Sequence, residues 1–164
     1  MKVIPLTKGK EALVDDCDHE YLTQWKWQFQ PEQHRRTGYA VRIGRTGERR
    51  SQFRMHRLIV TRSGAAVDGK QIDHIDGDGL NNCRSNLRVS TTSQNHANRR
   101  PNRNNTSGFK GVTWNRRWKK WLAQIEVAGH NYYLGGFDDP CDAARAYNEA
   151  ALKHFGEFAC LNPV

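Results

Sequence analysis

Gln71-Ile72-Asp73-His74-Ile75-Asp76-Gly77-Asp78-Gly79-Leu80-Asn81-Asn82 is followed by Ser85-Asn86-Leu87-Arg88-Val89 and by Thr91-Thr92-Ser93-Gln94-Asn95. Residues 71–73 read as a short strand, Gly77 and Gly79 mark a loop, and residues 87–89 read as a second strand. Thr91 with Gln94 has capping-box spacing, so a helix is expected to start there and to run to Arg100, before Pro101. A hairpin folded back on that helix would gather Asp73, His74, Asn86 and Asn95. A carboxylate, an imidazole and two amides can hold a hard cation and activate a water beside a phosphate. The oxygens of Asp and Asn suit Mg²⁺ or Mn²⁺ better than zinc. Successive strand side chains point to opposite faces, so a bend or bulge is expected to re-aim Asp73 or His74.

The wider composition agrees with a polyanionic partner. The 164 residues carry a net charge of +9 and 37% hydrophobic residues, with a pI near 9.7 and a mean hydropathy of −0.87. Small polar modules fit that balance better than one large core. Five Trp and five Tyr argue against disorder. No acidic residue lies between Asp78 and Glu126, a span holding Arg84, Arg88, Arg99, Arg100, Arg103, Lys110, Arg116, Arg117, Lys119 and Lys120. Trp114, Trp118 and Trp121 are interleaved with these cations, which favours nucleic acid over a membrane surface. Cys17, Cys83, Cys141 and Cys160 form no Cys-x-x-Cys pair, so no zinc ribbon is signalled and reduced intracellular thiols are expected. No apolar stretch approaches the ~20 residues that span a bilayer, and no signal-peptide segment is visible. A cytoplasmic protein is expected.

Residues 1–54 read as a β-rich region. Residues 3–6 and 12–16 suggest a hairpin, residues 20–27 a short helix burying Leu22 and Trp25, and residues 39–43 and 52–55 two strands about a turn. Its arginines, Arg35, Arg36, Arg42, Arg45, Arg49 and Arg50, suggest DNA contact. Residues 55–60 are apolar enough to pack on the next module. Residues 101–106 read as a linker. Beyond it, residues 109–114, 120–127 and 132–134 read as strands, and Asp139-Pro140 starts an alanine-rich helix to Phe155. Alternation turns Trp121, Ala123, Ile125 and Val127 toward that helix and Lys120, Leu122, Gln124 and Glu126 outward.

Met55-His56-Arg57-Leu58-Ile59, Ile72-Asp73-His74-Ile75-Asp76-Gly77-Asp78, Leu80-Asn81-Asn82, Ser85-Asn86-Leu87-Arg88 and Gln94-Asn95 agree in order and spacing with one family. On these blocks, over about residues 55–100, the chain resembles the HNH endonucleases, in particular their phage and intron-encoded homing branch. The resemblance implies a ββα-metal fold, with His74 as general base and Asp73 and Asn95 as ligands of one Mg²⁺ or Mn²⁺. It implies that Asn86 holds the loop by bonding backbone groups, so that His74 keeps its orientation. Arg99, one turn after Asn95, is placed on the scissile phosphate. Asp76 and Asp78 read as turn formers and His56 as a packing residue. His96 points about 100° away from Asn95.

Ser107-Gly108-Phe109-Lys110-Gly111-Val112, Trp118-Lys119-Lys120-Trp121-Leu122-Ala123-Gln124-Ile125, Tyr133-Leu134-Gly135-Gly136-Phe137 and Ala143-Ala144-Arg145-Ala146-Tyr147-Asn148-Glu149-Ala150-Ala151 resemble an AP2/ERF DNA-binding domain. That likeness implies a three-stranded antiparallel sheet on one helix, lying in the DNA major groove. The implied surface is Lys110, Thr113, Asn115, Arg116, Trp118, Lys120, Gln124, Glu126, Asn131 and Tyr133. Plant members carry arginines at several reading positions where Thr113, Glu126 and Asn131 stand here, so a different target sequence is implied.

The expected fold is therefore α+β. It comprises a small, mostly β region (1–54), a ββα-metal nuclease module (55–100), a linker (101–106) and an AP2/ERF-like domain (107–164). The expected function is a homing-type, metal-dependent endonuclease acting on double-stranded DNA as a monomer or homodimer. The alternative is a non-catalytic, sequence-specific DNA-binding regulator, with RNA binding as a third reading.

Overall fold

The computed structural model describes residues 1–32, 37–101 and 104–164; Arg35, Arg36 and Arg103 lie outside the described residues. The chain forms two compact units, Met1–Ser90 and Thr91–Val164.

The first unit opens with an antiparallel hairpin of β1 (Lys2–Pro5) and β2 (Glu11–Val14). Strand alternation sends Ile4, Ala12 and Val14 into the core. Helix α1 covers Asp16–Thr23, with Asp16 and Asp18 in its first turn, where carboxylates complement the helix dipole. It thus starts and stops four residues before the expected 20–27 segment. Trp27, not Trp25, enters the core at 3% exposure. The Trp27 indole donates to the Leu22 carbonyl at 2.8 Å, which satisfies its one polar atom. Strands β3 (Gln28–Pro31), β4 (Gly38–Thr46) and β5 (Arg49–Arg54) form an antiparallel sheet in that order. Helix α2 (Met55–Arg62) buries Met55, His56, Ile59 and Val60, the spacing of one helical face. A two-stranded antiparallel ribbon, β6 (Gln71–His74) with β7 (Leu87–Ser90), closes the unit.

Two bonds join the loop between β6 and β7 to the first hairpin: Leu13 donates to the Leu80 carbonyl at 2.9 Å, and Asn82 to the Leu13 carbonyl at 2.8 Å. Arg84 forks onto the fully buried Asp18 at 2.6 and 2.7 Å, and its backbone N–H meets Asp15 at 2.7 Å. The amino-terminal region therefore acts as scaffold for that loop.

The second unit begins with α3 (Thr92–Ala97). Its capping box forms as expected: Gln94 N–H donates to Thr91 Oγ1 at 3.2 Å, and Thr91 N–H to Gln94 Oε1 at 2.8 Å. The helix ends at Ala97, short of Arg100. The Ala97 carbonyl takes the Cys160 N–H at 3.2 Å and the Lys110 ammonium instead of a further helical turn. Strands β8 (Val112–Asn115), β9 (Lys120–Val127) and β10 (His130–Phe137) form an antiparallel sheet with β9 central. Helix α4 (Pro140–Phe155) starts where Asp139 accepts from the Cys141 N–H at 2.7 Å. Ala143, Ala144 and Ala151 are fully buried, and their small size lets α4 approach the sheet. Gly111 sits at φ +73°; a Cβ there would lie 2.1 Å from the Tyr147 ring, so only glycine fits. Asn162 ties the end of the chain down, accepting from the Lys110 N–H at 2.7 Å and donating to its carbonyl at 3.1 Å. Among the described residues, no helix is long and apolar enough to cross a membrane.

Candidate active site and nucleic-acid surface

His74 ends β6 and is 5% exposed. Its ring lies 5.0 Å from the His56 ring and 5.9 Å from the Tyr39 ring, and Nε2 is 3.4 Å from Asn82 Oδ1. Burial pushes the His74 pKa below the ordinary value, against the Asn82 hydrogen bond and the charges of Asp76, Asp73 and Asp78. The imidazole is therefore neutral near pH 7 and able to accept a proton. Burial, then the charges of His74, Arg54 and Arg57, hold His56 well below that value too. His56 Nδ1 is buried without a hydrogen-bond partner.

Asp73, one residue earlier, is 4% exposed. Arg88 stands directly opposite it in the ribbon and sends Nε to Asp73 Oδ2 at 2.9 Å and Nη2 to the same oxygen at 2.8 Å. The expected bend or bulge is absent, since the register runs unbroken from Gln71↔Ser90 to His74↔Leu87. Arg88 holds Asp73, and the Tyr39 and His56 rings pack on His74.

Asn86, 9% exposed, joins the two ends of the loop. Its amide donates to Asp76 Oδ1 at 2.9 Å and to the Asn81 carbonyl at 2.8 Å, and its oxygen accepts from the Asp76 N–H at 3.0 Å. Asp76 and Asp78 close the turn: Asp76 accepts from Asp78 N–H at 2.8 Å, and Asp78 from Leu80 N–H at 3.0 Å. Asn95 and Arg99 belong to the second unit. Asn95 is half-buried within α3, and Arg99 is exposed past its end. Among the described residues, no three His, Cys, Asp or Glu side chains gather as a metal cage.

In the second unit, Thr113, Gln124, Glu126, Asn131 and Tyr133 are exposed. The pairs Gln124↔Tyr133 and Glu126↔Asn131 set four of them side by side on one face. Thr113, Gln124, Glu126 and Asn131 share an open groove of about 550 Å³ with Ser93 and His96. Arg116 is exposed, and Trp118 is 58% exposed. Three of the implied surface residues are already engaged. Lys110 turns to the Ala97 carbonyl, and burial lowers its pKa to about 8. Lys120 is held by both Asp138 oxygens at 2.7 Å. Asn115 accepts from Arg117 and Trp118 N–H at 3.0 and 2.9 Å, shaping the turn. Leu122 lies on the outward face yet is only 7% exposed. Gly136 has no side chain there, and Tyr133, Leu122 and Lys120 close over that space. Of the amino-terminal arginines, Arg45, Arg49 and Arg50 are exposed. Arg42 instead stacks between Trp25 and Phe53, 4.3 and 4.2 Å from their ring centres.

Residues 53–97 match the HNH endonuclease family model. These residues form an HNH endonuclease domain. An uncharacterised HNH endonuclease of Acanthamoeba polyphaga mimivirus is 28% identical over 162 residues, covering 96% of this chain and 77% of that protein. Protein 3.8 of Escherichia phage T7 is 36% identical over 72 residues, 43% of this chain and 60% of that protein. APETALA2-like protein 2 of Oryza sativa is 45% identical over 64 residues, 39% of this chain. The matched stretch spans 15% of that plant protein's length. No solved structure matches. The HNH domain includes both buried histidines, His56 and His74.

Sequence reading passed over Asn82, Arg88 and the proximity of His56 to His74. Asn82 and His56 lie inside the motif blocks, but only the folded loop shows what they touch. The strand register could have paired Asp73 with Arg88.

Proposed function

We propose that this protein is a metal-dependent DNA endonuclease of homing type. In this reading, residues 55–100 form a ββα-metal nuclease module, residues 101–106 a linker, and residues 107–164 an AP2/ERF-like domain that delivers the module to its site. The supporting observation is a buried, neutral imidazole, His74, on the segment that matches the HNH family.

His74 takes a proton from water. The water oxygen bonds to phosphorus, the bond from phosphorus to the 3′ oxygen breaks, and solvent protonates that leaving oxygen. Asn86 keeps the loop closed, and Arg99 contacts the scissile phosphate. Asp73 and Asn95 would supply hard oxygens to a bound Mg²⁺ or Mn²⁺. Such ions keep several waters and take few protein oxygens, so a small donor set suits them, and an ion at Asp73 would compete with Arg88 for Oδ2. The bound ion would offset charge on the phosphate and on the leaving oxygen.

Thr113, Gln124, Glu126, Asn131 and Tyr133 face base edges, while Arg116 and Trp118 flank them. A sheet face of this width enters the major groove. Arg45, Arg49 and Arg50 add backbone contacts.

A plasmid relaxation assay tests the reading. Wild type should relax supercoiled DNA with Mg²⁺ or Mn²⁺ and fail with EDTA, and His74→Ala should fail in both. Equal relaxation by both proteins removes His74 from the reaction. The second reading, a DNA-binding regulator without cleavage, draws on the Arg88 guanidinium already neutralising Asp73. Retarded DNA without cleavage under any divalent ion would establish it.

A further inference from the structure

Asn82 is fully buried in the loop between the two ribbon strands. Its orientation is fixed from both ends. Its backbone N–H donates to the Leu13 carbonyl of β2 at 2.8 Å, and its side-chain amide nitrogen donates to the Leu80 carbonyl at 3.1 Å. Rotating the amide by half a turn would set two oxygens against each other at Leu80. The side-chain oxygen therefore faces His74, 3.4 Å from Nε2.

An amide oxygen only accepts. A hydrogen bond across this contact forms in the tautomer that carries the hydrogen on Nε2. A neutral imidazole has one N–H and one lone pair, so a proton on Nε2 leaves the lone pair on Nδ1. Tyr39 and His56 pack on the same ring and hold its plane. The hairpin that holds Leu13 is thereby connected to the protonation pattern of the ring.

We propose that Asn82 is a positioning residue that fixes the tautomer of His74, keeping its proton on Nε2 and presenting Nδ1 as the base. This rests on His74 being the base in the reaction proposed above. The water proton is received at Nδ1, giving an imidazolium whose Nε2–H still donates to Asn82. Solvent then takes the Nδ1 proton and restores the starting tautomer.

Long-range ¹H–¹⁵N correlation of the metal-free full chain at pH 8 tests the assignment without any cleavage. The His74 signals are identified by their loss in His74→Ala. The expected pattern is Nε2 protonated and Nδ1 bare. A protonated Nδ1, or an averaged pattern, would overturn the proposal.

Two variants add an activity readout. Asn82→Leu removes the acceptor and should mix the tautomers, with kcat falling about ten- to a hundredfold and KM for DNA within about twofold. Asn82→Asp keeps an acceptor oxygen on Nε2, but it sets its second oxygen against the Leu80 carbonyl and adds a charge that raises the His74 pKa, so it should keep the Nε2–H pattern and lose less kcat than Asn82→Leu. Equal losses in both variants, with the wild-type tautomer retained in both, would mark Asn82 as structural only. The wild-type spectrum decides the tautomer even if Asn82→Leu does not fold. Cleavage surviving in His74→Ala would remove His74 as the base of the reaction and leave the tautomer standing, so the two failures are distinguishable.

Discussion

The loop between β6 and β7 and the outward face of the second unit use polar groups in opposite ways. In the loop, the amides of Asn82 and Asn86 are buried and spent on neighbours: Asn86 on the Asp76 carboxylate and the Asn81 carbonyl, Asn82 on the Leu80 carbonyl and His74. On the sheet face, Gln124, Glu126, Asn131 and Tyr133 stay exposed on a layer whose far side packs on alanines. Buried polar groups with partners hold one arrangement, because any alternative leaves a donor or acceptor bare. Exposed groups give up water at little cost and can be exchanged. A reaction centre needs the first property and a reading surface the second. Removing a buried residue should therefore damage chemistry or folding, while removing an exposed one should alter recognition and leave stability unchanged.

The largest expected effect is at His74. His74→Ala should reduce the cleavage rate by about 10²- to 10⁴-fold, with DNA affinity unchanged in gel-shift titration. A matching loss of affinity would mean that His74 acts in binding, and the contrast between the regions would collapse.

Asn86→Ala comes next. It strips partners from the Asp76 N–H and the Asn81 carbonyl and should destabilise the first unit by about 2–3 kcal/mol, read by urea denaturation. A change below about 0.5 kcal/mol, the usual range for surface sites, would show that the loop stands without its central amide.

Smaller effects belong to the exposed face. Gln124→Ala should leave the melting temperature unchanged and relax selectivity by about 1–3 kcal/mol at one base position. Arg116→Ala should weaken binding to all sequences and lower the slope of log K against log salt by about 1. Loss of selectivity in Arg116→Ala, with none in Gln124→Ala, would reverse the assignment of reading and positioning roles.

How legible each region was follows from the same contrast. Strand β9 (Lys120–Val127) matches its sequence reading at both ends, because one buried face against one exposed face writes a period of two into the chain. The start of α4 and the Thr91–Gln94 box were readable for a similar reason: their partners are two or three residues away. Trp27 and Asn82 were not readable. The Trp27 indole meets Leu22 only because α1 ends at Thr23, and Asn82 is oriented through Leu13, 69 positions back in the chain. The Lys110 contact was not readable either, because a lysine beside aromatic residues resembles a phosphate contact and its ammonium meets the end of α3 only in the folded chain. The site residues were named by motif, while the bonds that orient them depend on distant chain.

Lys110 and Tyr147 give the smallest and most specific test. Burial lowers the Lys110 pKa to about 8, with Cys160 raising and Arg99 lowering it. Burial, then the Cys160 charge, pushes the Tyr147 hydroxyl well above its usual range. In the unfolded chain both groups titrate near pH 10. Between pH 8 and 10 the unfolded chain therefore binds more protons at Lys110, and stability rises with pH. Above pH 10 the unfolded chain loses the Tyr147 proton that the fold retains, and stability falls. The Lys110 amine is only partly covered and bonded to a carbonyl, so the rise should be on the order of 1 kcal/mol after screening. Thermal unfolding from pH 7 to 11 should show a maximum near pH 10. Lys110→Met should flatten the rising side alone, and Tyr147→Phe the falling side alone. An unchanged rise in Lys110→Met would place that ammonium in solvent, free to meet a phosphate, and would move Lys110 back to the reading surface.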